Sequence, residues 1–65
     1  MRLIVNDEDV EVGDGTTVAG LLEHLGIPEK GSAVAVDWSV LPRAEWDTVL
    51  TDGAKIAVVT AVQGG

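Results

Sequence analysis

The chain has 65 residues, a formal net charge of −7, one histidine and no cysteine. A chain of this length predicts one small domain, which buries only about 60% of the surface that its unfolded form exposes. The composition excludes a disulfide framework, an iron–sulfur ligand set and a thiol nucleophile, and a zinc site lacks its usual ligands. The acidic charge repels nucleic-acid phosphates, so we expect no nucleic-acid partner and favour an electropositive protein surface instead.

Apolar runs in the sequence are short. None approaches the roughly 18 residues of a membrane span, and no signal-peptide pattern follows Met1. We therefore expect a cytoplasmic protein without a membrane partner.

The first quarter of the chain predicts a β-hairpin. Residues 2–6 are apolar between polar ends, residues 6–9 are polar and turn-prone, and residues 10–12 alternate as a half-buried strand does. The acidic side chains here lack the spacing of a calcium loop, so we interpret them as a solvated hairpin tip. They are Asp7, Glu8, Asp9, Glu11 and Asp14.

A short helix follows the hairpin. Thr16 and Thr17 offer an N-cap hydroxyl, and Gly26 with the following Pro28 ends the helix. Its apolar residues recur at the spacing of one helix face, at Val18, Leu21, Leu22 and Leu25. The Gly13-Asp14-Gly15 turn before it is too short for a phosphate-binding loop, and we interpret it as an ordinary turn. His24 lies off the apolar face, so we expect it to be solvated.

The second half of the chain predicts three further extended segments. Residues 33–36 and 40–41 predict a strand pair joined by a turn at residues 37–39, and residues 56–62 form an apolar, β-branched run typical of a central strand. Residues 43–47 read as irregular and polar, residues 48–50 as extended, and Asp52-Gly53 as a turn. We expect Trp46 to cover an edge of the core. For Trp38 the sequence leaves a partner contact and a passive place in the turn equally open.

This order of elements predicts an α+β protein with the ubiquitin-like β-grasp fold. A mixed sheet of four to five strands would carry one helix packed across it, with the last strand parallel to the first. In that last strand Ile56 and Val58 would face the helix. The alternate residues, Val59 and Ala61 among them, would face the other way and, with Gln63, form a surface for partner contact.

The sequence closes with Gln63-Gly64-Gly65, which we interpret as a flexible tail on the 1–65 domain. Three residues extend roughly 10 Å, and two of them carry no side chain, so the tail could enter a narrow cleft of a partner. We expect Gly65 to present its carboxylate there, with Gly64 as a spacer.

Several stretches together resemble the ubiquitin-like sulfur carrier family of thiamine biosynthesis, the ThiS family. They span the chain: Ile4-Val5-Asn6, Thr17-Val18, Leu21-Leu22, Ala35-Val36, residues 41–46 with Pro42-Arg43 and Trp46, Asp52-Gly53, Ile56, and Gly64-Gly65. The chain departs from the family where Asp37-Trp38-Ser39 replaces a frequent Asn-Gly turn, and where Ala54 replaces an acidic residue.

The resemblance implies a carrier rather than an enzyme, with no bound cofactor and no metal. In such proteins an adenylating enzyme related to that of ubiquitin uses ATP to activate the C-terminal glycine, here Gly65. Sulfur from a cysteine desulfurase or sulfurtransferase then forms a thiocarboxylate, which thiazole synthase accepts. Three alternatives stay open: a sulfur carrier for molybdopterin or cysteine biosynthesis or a ubiquitin-like modifier; a passive binding module; and a structural domain of a larger protein.

Overall fold

The computed structural model describes residues 1–60 of the chain. The elements are β1 (Arg2–Val5), β2 (Glu8–Glu11), α1 (Val18–Leu25), β3 (Ser32–Val36), β4 (Ser39–Leu41), a 3-10 turn (Arg43–Glu45) and β5 (Lys55–Thr60). The strands form one mixed sheet in the order β2-β1-β5-β3-β4. β5 lies at its centre, parallel to β1 and antiparallel to β3. The predicted sheet, its single helix within residues 1–60 and the parallel pairing are therefore confirmed.

Both hairpins of the sheet close with two-residue turns in the left-handed region. The backbone φ angles are 49° at Asn6 and 68° at Asp7, and 49° at Asp37 and 73° at Trp38. Such turns match the twist of the strands that they join. The prediction of a turn over residues 6–9 was therefore too long, because Asn6 and Asp7 suffice and Glu8 already pairs with Val5.

Two layers enclose the core. Val18, Leu21 and Leu22 of the helix are fully buried against the sheet, whose side facing the helix contributes Leu3 and Val34. Further buried residues on that side are Val5, Ile56 and Val58. The predicted helix face and the predicted inward residues of the last strand are confirmed, and Leu25 lies at the edge of the core, half-buried.

The backbone N–H groups of residues 18, 19 and 20, which a helix normally leaves free in its first turn, each have a partner. The Thr17 hydroxyl accepts from Gly20 N–H at 3.1 Å, and the Thr17 carbonyl accepts from Leu21 N–H at 2.8 Å. The carbonyls of Trp46 and Thr48 accept from the N–H groups of residues 19 and 18 at 2.9 and 3.3 Å. The N–H groups of residues 18–20 are therefore not available to a phosphate, in agreement with an ordinary turn at residues 13–15.

Trp46 covers the core beside the helix start, as predicted. Its side chain is 3% exposed, and its indole N–H donates to the Leu41 carbonyl at 2.9 Å. The predicted irregular segment around it is instead a 3-10 turn, because the N–H groups of Glu45 and Trp46 donate to the carbonyls of Pro42 and Arg43. The extended prediction for residues 48–50 holds in part, since Val49 forms a β-bridge with Thr17.

Candidate functional site

The side of the sheet that faces away from the helix is largely uncovered by residues 1–60. We call it the open face and define it by the strand residues that alternate with the core: Ile4, Ala33, Ala35, Val40, Lys55, Ala57 and Val59. Val40 is 77% exposed and Val59 65%. The prediction that Val59 points away from the helix is confirmed, and its partner contact stays a prediction. Ala61, Gln63, Gly64 and Gly65 lie outside the described residues.

β5 is paired with β3 up to its last residue, from Val36↔Ile56 to Ser32↔Thr60. Its pairing with β1 is shorter and stops at Val5↔Ile56. Beyond that point the side chain of Asn6, not a strand backbone, forms the hydrogen bonds to β5. Its amide nitrogen donates to the Val58 carbonyl at 3.2 Å, and Val58 N–H donates to the Asn6 side-chain oxygen at 2.9 Å.

Asn6 thus extends the parallel ladder along β5 after its own backbone has turned away. It is the residue of this site whose role the sequence analysis missed. The available signal was an asparagine at the end of a strand and the start of a turn, where its tolerance of positive φ explains its presence without any long-range contact.

The other end of the open face carries the turn of Asp37 and Trp38. The turn is fixed to the start of β5, because Asp37 N–H donates to the Lys55 carbonyl at 2.8 Å and the Asp37 carboxylate accepts from Lys55 N–H at 3.0 Å. Trp38 is 88% exposed, and the Lys55 ammonium lies 5.7 Å from the centre of its ring. Beside it lies a groove of about 320 Å³, which Ile4, Ala35 and Ala57 line together with Asn6, Asp7, Trp38, Lys55 and Ile56.

The charged groups of residues 1–60 offer no reactive centre of their own. Asp7, Glu8, Asp9, Glu11 and Asp14 are exposed, as predicted for a solvated hairpin, and so is His24. In this part of the chain no three His, Cys, Asp or Glu side chains are placed to hold a metal ion. Its one α-helix is too short to cross a membrane.

The amino terminus holds the far edge of the sheet by charge. The Met1 ammonium donates to the Val12 carbonyl at 2.8 Å and lies 3.3 Å from the carboxylates of Glu11 and Asp14. The hydrogen bond to Glu11, with a further contribution from Asp14, raises the pKa of this ammonium above its ordinary value of 8.0. The group is therefore charged at neutral pH.

Within residues 1–60, a five-stranded mixed sheet with one helix across it and β5 at its centre defines the ubiquitin-like β-grasp class. A solved structure supports this assignment: the thiamine biosynthesis protein ThiS from Geobacter metallireducens superimposes with a TM-score of 0.83 and 28% identity, over 100% of both chains. The ThiS family model matches residues 1–65. The sulfur carrier protein ThiS of Escherichia coli (strain K12) is 32% identical over 66 aligned residues, which cover both chains completely. The chain belongs to the ThiS family.

Proposed function

We propose that this protein is a sulfur carrier of thiamine biosynthesis rather than an enzyme, and that it works in the cytoplasm. The observation that carries the proposal is the match to the ThiS family along the whole chain, with a named sulfur carrier among the full-length relatives. The sequence ends in the Gly64-Gly65 pair that this chemistry needs.

The proposed chemistry takes place on the carboxylate of Gly65. A free α-carboxyl group has a pKa of about 3.3–3.7, so it is anionic at neutral pH and a poor electrophile. An adenylating enzyme overcomes this by letting a carboxylate oxygen attack the α-phosphorus of ATP, which releases pyrophosphate and leaves an acyl adenylate. The outer sulfur of a persulfide on the sulfur donor then attacks the acyl carbon and AMP departs, which leaves an acyl disulfide to the donor. A second thiol attacks the donor's sulfur, breaks the S–S bond and forms a disulfide with the donor, so that the thiocarboxylate is released.

Three kinds of partner follow from this sequence of steps. An adenylating enzyme binds ATP and provides the site of adenylation. A cysteine desulfurase or sulfurtransferase supplies the sulfur, and thiazole synthase accepts it. Gly64 acts as a spacer, because a side chain there would hinder entry into a cleft that excludes water and protects the adenylate. Val59, Ala61 and Gln63 form the partner contact beside the tail.

The fold suits this role because it joins the tail to an interior strand at the centre of the sheet. β5 is paired on both sides, and the Asn6 side chain holds it at Val58 beyond the end of β1. A partner that binds the open face therefore contacts a rigid surface as far as the described end of β5 at Thr60. Rigid presentation lowers the entropy cost of placing a reacting group in a partner's site.

The proposal is tested by loading the carrier. The protein is incubated with the adenylating enzyme of the same organism, ATP, a cysteine desulfurase, cysteine and a thiol reductant, and its intact mass is measured. We expect the mass change of one oxygen exchanged for sulfur, located at Gly65 by fragmentation. An unchanged mass, with a known carrier loaded by its own enzymes in parallel, would indicate a passive binding module. A thiocarboxylate that thiazole synthase does not consume would favour a carrier for another pathway or a modifier.

The tail residues are tested by ATP–pyrophosphate exchange. Deletion of Gly65, or Gly64→Trp, should abolish exchange, because the terminal carboxylate then lies one residue short of the ATP site or is blocked from entering it. The far-UV circular dichroism spectrum should stay unchanged, since the buried core of residues 1–60 runs from Leu3 to Val58. Exchange at the wild-type rate in the deletion variant would refute the assignment of Gly65.

The partner contact of Val59 is tested with a matched pair of substitutions. Val59→Lys changes the open face, whereas Val49→Lys makes the same change of charge at a valine that is 55% exposed and lies outside that face. We expect the first to raise the KM for the carrier at least tenfold and the second to leave it within twofold. Equal effects would show that charge alone matters and would contradict a contact at Val59.

A further inference from the structure

Trp38 occupies a backbone conformation that its residue type disfavours. Its φ of 73° lies in the left-handed region, where a bulky residue is an outlier and glycine is the usual choice for this turn position. The first hairpin has the same turn geometry but fills it with Asn6 and Asp7, two residue types that tolerate it. The second turn therefore contains a tryptophan where the local backbone favours a smaller residue.

Burial within residues 1–60 does not compensate for this choice. The side chain is 88% exposed, and within residues 1–60 the ammonium of the flexible Lys55 side chain lies 5.7 Å from the centre of its ring. Strained residues that the fold does not require are found mainly at functional sites. Exposed tryptophan is also enriched among the residues that contribute most to protein–protein binding.

The turn holds Trp38 in place at one end of the open face. Asp37 fixes the turn to Lys55 through two hydrogen bonds, so little freedom of the backbone remains to be lost on binding. β5 runs from Lys55 towards the tail, and its five steps to Thr60 span about 17 Å at 3.3 Å each. Trp38 and the Val59 end of β5 therefore lie at opposite ends of the open face.

We infer that Trp38 is an aromatic anchor that inserts into an apolar pocket of the adenylating enzyme, and that it sets the position of the carrier along that enzyme's surface. The inference rests on the proposed function and adds a residue that determines partner recognition. The surface is continuous from the indole, across Ala35 and Ala57, to Val59, so one partner can contact both ends.

The charges beside the indole specify the pocket further. Covering Trp38 also removes water from the Lys55 ammonium, and a buried cation needs an anionic partner. The complementary pocket is thus apolar with a carboxylate at its edge. A free hydrophobic ligand would lack that carboxylate, and a second copy of this chain would have to supply it from its acidic hairpin.

The experiment compares Trp38→Gly with Trp38→Phe in the exchange assay with the adenylating enzyme. Trp38→Gly removes the side chain and relieves the strain of the turn, whereas Trp38→Phe keeps an aromatic ring under the same strain. We expect Trp38→Gly to raise the KM for the carrier at least tenfold with kcat within twofold, and Trp38→Phe to fall between it and the wild type. Calorimetric titration without ATP should show the same order of Kd, and Lys55→Gln should weaken binding less than Trp38→Gly.

Each outcome is informative. Equal KM and Kd for the wild type and Trp38→Gly overturn the inference while leaving the carrier function intact, and a wild type that the enzyme does not load fails the proposed function instead. A fall in kcat alone would place the effect at the tail and contradict an anchor. Sedimentation velocity adds a further check: a wild-type dimer that Trp38→Gly converts to a monomer would assign the indole to self-association and overturn the inference.

Discussion

The two tryptophans of this chain differ in almost every physical respect. Trp46 is 3% exposed and donates its indole N–H to the Leu41 carbonyl at 2.9 Å. Trp38 is 88% exposed and has a left-handed backbone. One residue type thus serves two purposes, and burial decides which: Trp46 contributes to folding, whereas Trp38 contributes little to it and is available to a partner.

The difference extends to the loops that carry them. The loop around Trp46 supplies the carbonyls of Trp46 and Thr48 to the start of the helix, so it is needed for the core. Within residues 1–60, the loop and side-chain hydrogen bonds of the Trp38 turn all join Asp37 to Lys55 at the start of β5. Mutations in the first loop should therefore affect stability, and mutations in the second should affect binding.

The largest effect is expected from Trp46→Ala. Truncation of a buried tryptophan costs about 3–5 kcal/mol, and a core of this size rarely supplies more than about 3–5 kcal/mol in total. We therefore expect the variant to be largely unfolded at 25 °C by circular dichroism, whereas Trp46→Phe should fold with a lower urea midpoint. A cooperative transition at the wild-type midpoint in the alanine variant would remove the contrast between the two tryptophans.

Asn6→Ala should have the next largest effect, because it leaves both backbone groups of Val58 without their partner. An unsatisfied, partly buried group costs about 1–3 kcal/mol. Urea denaturation measures the loss, and amide exchange should accelerate at Val58 more than at Val34 on the neighbouring strand. Asn6→Gly is the control for the turn, since glycine accepts the positive φ but cannot bond to β5. If the glycine variant were as stable as the wild type, the side-chain bridge would be unimportant.

Trp38→Gly should leave stability unchanged or raise it by up to about 1 kcal/mol. Relief of the left-handed strain gains about 1–2 kcal/mol, while loss of the exposed contact with Lys55 costs about 0.5–1 kcal/mol. The greater freedom of glycine in the unfolded chain reduces the gain further. Thermal denaturation beside Trp38→Phe, which keeps the strain, measures the difference. A clear loss of stability would show that the indole is part of the folded scaffold after all.

The sequence predicted the parts of this molecule that depend on local patterns. The apolar spacing of Val18, Leu21 and Leu22 predicted the helix face, and the apolar run from Ile56 predicted the central strand, because periodicity reports burial directly. It could not predict the bridge from Asn6 to Val58, which joins residues 52 positions apart through a side chain. For Trp38 the sequence left open a partner contact and a passive place in the turn, and only the structure shows its exposed side chain and left-handed backbone.

The ion pairs of the Met1 ammonium with Glu11 and Asp14 are exposed, as the Trp38 indole is, and we expect them to contribute equally little to stability. The ammonium has a raised pKa because of Glu11 and Asp14, and both carboxylates are largely exposed, which limits the contribution of such pairs. A raised folded pKa stabilises the fold fully below the ordinary value of 8.0, and the contribution is lost as pH rises through the higher folded value. We therefore expect a small decrease in the melting temperature of the wild type above pH 8. It should be weaker in a Glu11→Gln, Asp14→Asn double variant, and parallel pH profiles of the two proteins would show that this pair of contacts contributes nothing.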